Sequence, residues 1–341
     1  MTSLPVRYTV TDMHTGGEPV RIFTGGVPEL RGATILEKRR DAMANHDRVR
    51  RHLMFEPRGH REMYGVWPTA PSHPGAALAV LFTHNEGYST MCGHATIALG
   101  RWVLDQGLVP KQAPETRFIL ECPCGPVEVF VAVDADGRPG DVAFESVPAF
   151  RAVADLTTEV PGIGPVTLDI AYGGAFYAIL PASRLGLDLR RTPVAGLHDA
   201  MTRITGHLRA TETIRHLREA DLGFLYGTIL TDDAVPGEGP SWNLCWFADG
   251  QIDRSPTGSG VTARLALEHA RGRIAPSIDW EIRGLSGAPF TGRITQVTPD
   301  GVIARVAGRG HYVGEASFTV EADDPLPDGL AVPERLETLW Q

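Results

Sequence analysis

The sequence predicts an α+β chain built as two similar halves, and three observations predict it. The 341 residues exceed the roughly 250–300 at which a single hydrophobic core stops growing, so two domains are expected. The apolar segments are mostly short, rich in β-branched residues and bounded by Gly and Pro, with few stretches of helical period. One short turn-to-helix pattern occurs twice, about half a chain apart.

Val127–Val133 (VEVFVAV), Gly301–Val306 (GVIARV) and Ile170–Leu180, the last interrupted at Tyr172-Gly173-Gly174, read as strands. Thr96–Leu104 and Val261–Ala270 read as helices, and Leu185–Arg218 carries a longer helical stretch that includes Val194–Leu208. Pro148–Gly164 is the expected crossover. The domains are therefore placed at residues 1–155 and 156–320, with 321–341 returning to the first. The repeated pattern is Ser89–Leu99 (STMCGHATIAL) and Arg254–Leu265 (RSPTGSGVTARL). Each copy runs from polar residues through Cys or Thr, then Gly, into an apolar helix. A duplicated domain with one such element per half explains the spacing.

Composition removes several function classes. At 43% hydrophobic and 21% charged residues the chain has ordinary globular composition. A net charge of -9 with no long run of Lys or Arg speaks against nucleic acid, and leaves a small zwitterionic substrate open. Met1–Arg7 lacks the plan of a signal peptide. No apolar run reaches the ~20 residues that span a bilayer, so a cytoplasmic protein without membrane contact is expected. Four cysteines do not make a disulfide framework in a chain this long. Cys122 and Cys124, in Glu-Cys-Pro-Cys-Gly, read as strand-end residues, since no second pair completes a metal site. The histidines are scattered without His-Glu-x-x-His, so no metal is expected.

Lys38 and Lys111 are the only lysines, and both lie in polar segments expected to be exposed. Neither suits a desolvated Schiff base, so no pyridoxal cofactor is expected. Gly258-Ser259-Gly260 lacks the Lys of a phosphate loop, and no Gly-x-Gly-x-x-Gly follows a strand.

A Gly-rich turn opening a helix leaves backbone N–H groups unpaired at the positive end of the dipole, which is an anion site. Two such ends facing one another would hold a carboxylate and stabilise charge that builds on it. A Cys at such an end has its pKa lowered from about 8.5 toward roughly 3.5–7.5, and Cys92 would then be a thiolate base near neutral pH. Each residue also has a plainer reading. Cys92 alone is a small buried hydrophobe, His94 a first-turn residue, and Asp253 a surface charge paired to Arg254.

The two motifs resemble those of the proline racemase superfamily. Met91-Cys92-Gly93-His94 matches its first catalytic motif, and Asp253-Arg254-Ser255-Pro256-Thr257-Gly258-Ser259-Gly260 matches its second except at one position. His14-Thr15-Gly16-Gly17-Glu18-Pro19, Pro57-Arg58-Gly59-His60 with Met63-Tyr64-Gly65, His84-Asn85-Glu86-Gly87-Tyr88, Asp169–Gly174 and the Gly-rich stretch Gly308–Phe318 also look like family signatures, so the likeness covers nearly the whole chain.

The resemblance implies a diaminopimelate epimerase-like fold. In it, two pseudo-symmetric domains each wrap mainly antiparallel strands around a central helix, with the site in the cleft between them. It implies that Cys92 is the catalytic base and that Gly93 and His94 bind substrate beside it. Asp253 would receive the ring nitrogen, and Gly258 and Ser259 would bind the carboxylate.

Thr257 stands where a racemase carries its second catalytic Cys. A Thr hydroxyl is a poor acid or base without a strong neighbouring base, and none is adjacent in sequence. Thr257, with Ala95 in place of a racemase-like Gly, is the pattern of a branch resembling trans-3-hydroxy-L-proline dehydratase. The implied reaction is cofactor-independent loss of water from a small imino acid. Two alternatives are a proline racemase or hydroxyproline 2-epimerase, and a non-catalytic imino-acid binding protein. The oligomeric state stays open, with a homodimer as one option.

Overall fold

The structure, a computed structural model, describes residues 5–331. Its elements follow the burial pattern of the chain. The first run is β1 (Val6–Thr15), β2 (Glu18–Gly25), α1 (Ile35–Asn45), α2 (Asp47–Met54), β3 (Tyr64–Thr69), β4 (Ala76–His84), β5 (Gly87–Ser89), α3 (Gly93–Asp105), β6 (Glu115–Cys122), β7 (Gly125–Val133) and β8 (Pro139–Glu145). The second is β9 (Phe150–Val160), β10 (Gly164–Tyr172), β11 (Phe176–Pro181), α4 (Val194–Thr211), β12 (Leu225–Thr231), β13 (Ser241–Phe247), β14 (Gln251–Ile252) and α5 (Gly258–Ala270). The last is β15 (Trp280–Arg283), β16 (Pro289–Thr298), β17 (Gly301–Gly308) and β18 (Gly310–Val320).

Pairing is mainly antiparallel: β18 with β1, β1 with β2, β3 with β4, and β6 with β7 and then β8. In the second half β9, β10 and β11 form an antiparallel run, and β12 joins β11 in parallel before turning back to β13. β17 pairs with both β16 and β8 and so joins the halves. The strands surround two helices. α3 packs against β1, β2, β7, β8 and β18, and α5 against β9, β10, β11, β16 and β17. Eleven residues of each helix are buried. A helix apolar or small on every side has no solvent face and belongs at a centre. The fold is thus the α+β arrangement expected, one central helix per half.

The expected helices appear as α3, α4 and α5, and the expected strands as β7, β17 and the hairpin β10–β11, whose turn is the Gly173-Gly174 interruption. Three features differ. α1 and α2 are additional helices; five of the eleven residues of α1 are charged, so it shows no apolar stripe. It is started instead by a capping box between Thr34 and Glu37. Lys38 is buried rather than exposed, its Nζ donating to Ala70 O at 2.5 Å. Most of Pro148–Gly164 is strand β9.

β18, which lies within the stretch 156–320, runs antiparallel to β1 from Thr15 opposite Gly310 to Val6 opposite Val320. Of the segment 321–341, residues 332–341 lie outside the described residues. Within the rest, Leu330 bridges Glu56, and Arg58 donates to Leu326 O and Pro327 O. Of the segment Met1–Arg7, residues 1–4 also lie outside the described residues. Among the described residues no helix is long and apolar enough to cross a membrane.

Candidate active site

The N-termini of α3 and α5 meet head to head. Cys92 caps α3 in an extended conformation, and its sulfur accepts the Ala95 N–H at 3.4 Å. Thr257 precedes α5 with φ 64°. A β-branched residue there is strained, at a cost of about 1–3 kcal/mol, and persists only when its surroundings fix it. They do so here. Thr257 N donates to Ser255 Oγ at 3.1 Å, Thr257 Oγ1 donates to Asp253 Oδ2 at 2.8 Å, and Asp253 Oδ1 accepts Ser255 N–H at 2.7 Å.

The close approach depends on glycine. A Cβ on Gly93 would lie 2.5 Å from Gly258 Cα, and one on Gly258 would lie 2.7 Å from Gly93 Cα.

Cys92, Gly93, His94, Asp253, Thr257, Gly258 and Ser259 all line one small, closely packed cavity where the two helix ends meet. All seven residues singled out in the sequence therefore meet, from both halves. Neither lysine lines the cavity. Five further residues that the sequence did not single out for the site also line it: Tyr64, Met91, Tyr177, Tyr226 and Phe247. The three tyrosines come from strands, where they look like any core aromatic. Only their hydroxyls distinguish them. Tyr64 OH bonds Ser89 Oγ at 2.6 Å and Tyr177 OH bonds Ser259 Oγ at 2.8 Å. Burial pushes the Tyr226 hydroxyl well above its ordinary pKa, the nearby Ser89 and Tyr64 hydroxyls oppose this only in part, and its OH makes no hydrogen bond of normal geometry among the described residues.

The electrostatics correct one expectation. Cys92 is 5% exposed, and burial pushes its thiol well above the ordinary value rather than below it. The Ala95 N–H and the Tyr64 hydroxyl pull the other way, while the Asp253 and Glu18 carboxylates push it further up. The helix end is present, but desolvation in the closed cleft outweighs it. His94 is 3% exposed, and burial lowers its pKa to about 4, so it is neutral near pH 7. Its Nδ1 lies 3.1 Å from Cys92 Sγ. The imidazole is in reach of the thiol proton, although burial makes it a weak base and the thiol a weak acid, so the transfer is uphill.

Asp253 also departs from the plain reading. It is buried, and its Oδ2 faces Thr257. The base that sequence adjacency did not offer thus sits four residues upstream, although a carboxylate is far too weak to ionise an aliphatic alcohol.

A sequence model described as "Proline racemase" matches residues 10–331. The chain belongs to the proline racemase family. Within that family it is 51% identical, over 94% of both chains, to a Homo sapiens protein named trans-3-hydroxy-L-proline dehydratase. It is 41% identical to a protein of the same name from Colwellia psychrerythraea, over 94% of this chain and 91% of that one. A crystal structure of a hydroxyproline epimerase from Agrobacterium vitis with bound trans-4-hydroxy-L-proline superposes with a TM-score of 0.90 at 26% identity, over 96% of both chains. The proline racemase fold is therefore shared across relatives that differ in the reaction their names describe.

Proposed function

We propose that the protein dehydrates trans-3-hydroxy-L-proline to Δ2-pyrroline-2-carboxylate, which tautomerises to Δ1-pyrroline-2-carboxylate, as a cofactor-independent hydro-lyase. The observation that carries this reading is Thr257 across the cavity from Cys92, in a chain about half identical to a named dehydratase.

The backbone N–H groups at Gly93, Gly258 and Ser259 receive the substrate carboxylate, and Asp253 receives the ring ammonium. The Cys92 thiol passes its proton to His94 Nδ1, and the thiolate takes the proton from C2. The C2–H electron pair becomes the C2–C3 double bond as the C3–O bond breaks. His94 returns its proton to the departing oxygen, so water leaves and both residues end as they began. In the trans substrate the C2 hydrogen and the 3-hydroxyl share a ring face, which suits a proton donor on the Cys92 side. Thr257 donates its own hydrogen to Asp253, so only its lone pairs are free for the substrate, and it closes the opposite wall without moving a proton.

Purified protein without added cofactor is incubated with trans-3-hydroxy-L-proline, trans-4-hydroxy-L-proline and L-proline, and Δ1-pyrroline-2-carboxylate is detected with o-aminobenzaldehyde. Product from the 3-hydroxy substrate alone is expected. Cys92→Ala abolishes it and Thr257→Ala retains a measurable rate. Inversion at C2 of either other substrate instead, or equal loss in both variants, would replace this reading with a two-base isomerase in which Asp253 and Thr257 act together.

A further inference from the structure

The β10–β11 turn of the second half is pressed against the first turns of α5. A Cβ on Gly173 would lie 2.2 Å from Ser259 O and 2.5 Å from Ala263 N, so backbone contact fixes where β11 stands beside the helix end. On β11, Tyr177 places its OH 2.8 Å from Ser259 Oγ. Both residues are buried, and both line the cavity that holds Cys92 and Thr257.

The hydrogens of this pair can be counted. Two hydroxyls carry two hydrogens, and one hydrogen is used between them. Among the described residues neither oxygen bonds any other group. Thr262 on the same helix spends its hydroxyl on Gly258 O at 3.1 Å, and Thr96 on α3 spends its own on Cys92 O at 2.7 Å. Ser259 makes no such bond back to the chain. The second hydrogen of the pair therefore has no acceptor among the described residues, at a buried place where an unmet donor is costly. A phenol is a stronger acid than an aliphatic alcohol, so Tyr177 donates, Ser259 accepts, and the unspent hydrogen is the one on Ser259. No side chain caps α5. The Ser259 hydroxyl thus belongs to a helix start whose free N–H groups attract an anion.

We propose that Tyr177 is a positioning residue: by donating to Ser259 Oγ it turns the Ser259 hydrogen toward the substrate carboxylate, adding one side-chain donor to the backbone N–H groups there. This rests on the carboxylate role given to Ser259 above.

The test is a double-mutant cycle. Ser259→Ala removes the donor and is expected to lower kcat/KM for trans-3-hydroxy-L-proline at least about tenfold. Most of the loss is expected in KM, because the carboxylate is charged before the reaction as well as during it. The calorimetric Kd for L-proline is expected to rise in parallel. Tyr177→Phe keeps the ring and is expected to raise both constants at least about fivefold, yet less than about twofold when Ser259 is already Ala, since Tyr177 acts only through that hydroxyl. Ser259→Thr keeps the hydroxyl and is expected to stay within about threefold of wild type. Thermal unfolding is recorded for every variant. Unchanged constants in Tyr177→Phe, an equal further loss in the double variant, a Ser259→Thr protein as weak as Ser259→Ala, or failure of Tyr177→Phe to fold would each overturn the proposal. Wild-type protein that binds L-proline but never yields pyrroline would overturn the dehydratase reading instead, and the cycle would then be judged on Kd alone. Wild-type protein that does neither would overturn both.

Discussion

At Cys92 two effects of opposite sign meet. The helix N-terminus favours the thiolate, whereas burial and two nearby carboxylates favour the thiol. The motif around Cys92 makes the first visible in the sequence, because a Gly-rich helix start is a local feature. The second depends on how completely the other half closes over the sulfur, which no local pattern carries. The same division holds for Thr257. Its identity is legible, but its left-handed backbone and its bond to Asp253 are not.

Tyr226 is the residue that sequence alone could not have singled out. It is 6% exposed, lines the cavity, and its hydroxyl lacks a normal partner. A buried hydroxyl without a partner is costly, and a substrate hydroxyl would satisfy it. Tyr226→Phe is expected to lower kcat/KM for trans-3-hydroxy-L-proline about tenfold. In D2O it should also raise deuterium incorporation at C2 of recovered substrate relative to water loss. An unchanged ratio of exchange to elimination would mean that Tyr226 only fills space.

At the level of elements, the meeting of α3 and α5 is set by backbone, not side chains. Gly93 and Gly258 allow a contact that any Cβ would break. Gly93→Ala is expected to force the helix ends apart at a cost of about 1–3 kcal/mol, seen as a lowered melting temperature. A displacement on the order of 1 Å at the reacting groups costs about 100-fold in turnover. A variant with wild-type melting and turnover would show that the helices have slack. These two helices were easy to read because they are apolar, short and repeated. α1 and α2 were not, because neither is central and α1 is held by its cap rather than by a stripe.

For the molecule as a whole, buried histidines link stability to pH. Burial lowers His84 to about 3 and His94 to about 4, from an ordinary value of 6.5. A group depressed in the folded state contributes stability that is present above its unfolded pKa and lost as pH falls toward the folded one. Both histidines therefore act against stability on acidification below about pH 6.5. Glu18, raised by burial, works in the opposite direction, giving stability that is lost as pH rises. His84→Gln, which cannot titrate, is expected to show a smaller drop in Tm than wild type between about pH 6.5 and about pH 4.5. Equal drops would remove His84 from the acid response.

Two halves were legible because the turn-to-helix pattern recurs. The threading between them was not, since strand partners far apart in sequence leave no mark in either segment. β1 and β18 show what that threading entails. Val6 lies opposite Val320, and β18 also forms part of the wall around α3. During synthesis the first half therefore waits, with an open strand edge and an incompletely covered helix, for a segment that leaves the ribosome after nearly all of the described chain. The half made first is the half finished last, and that interval is when an unpaired edge is exposed to other chains.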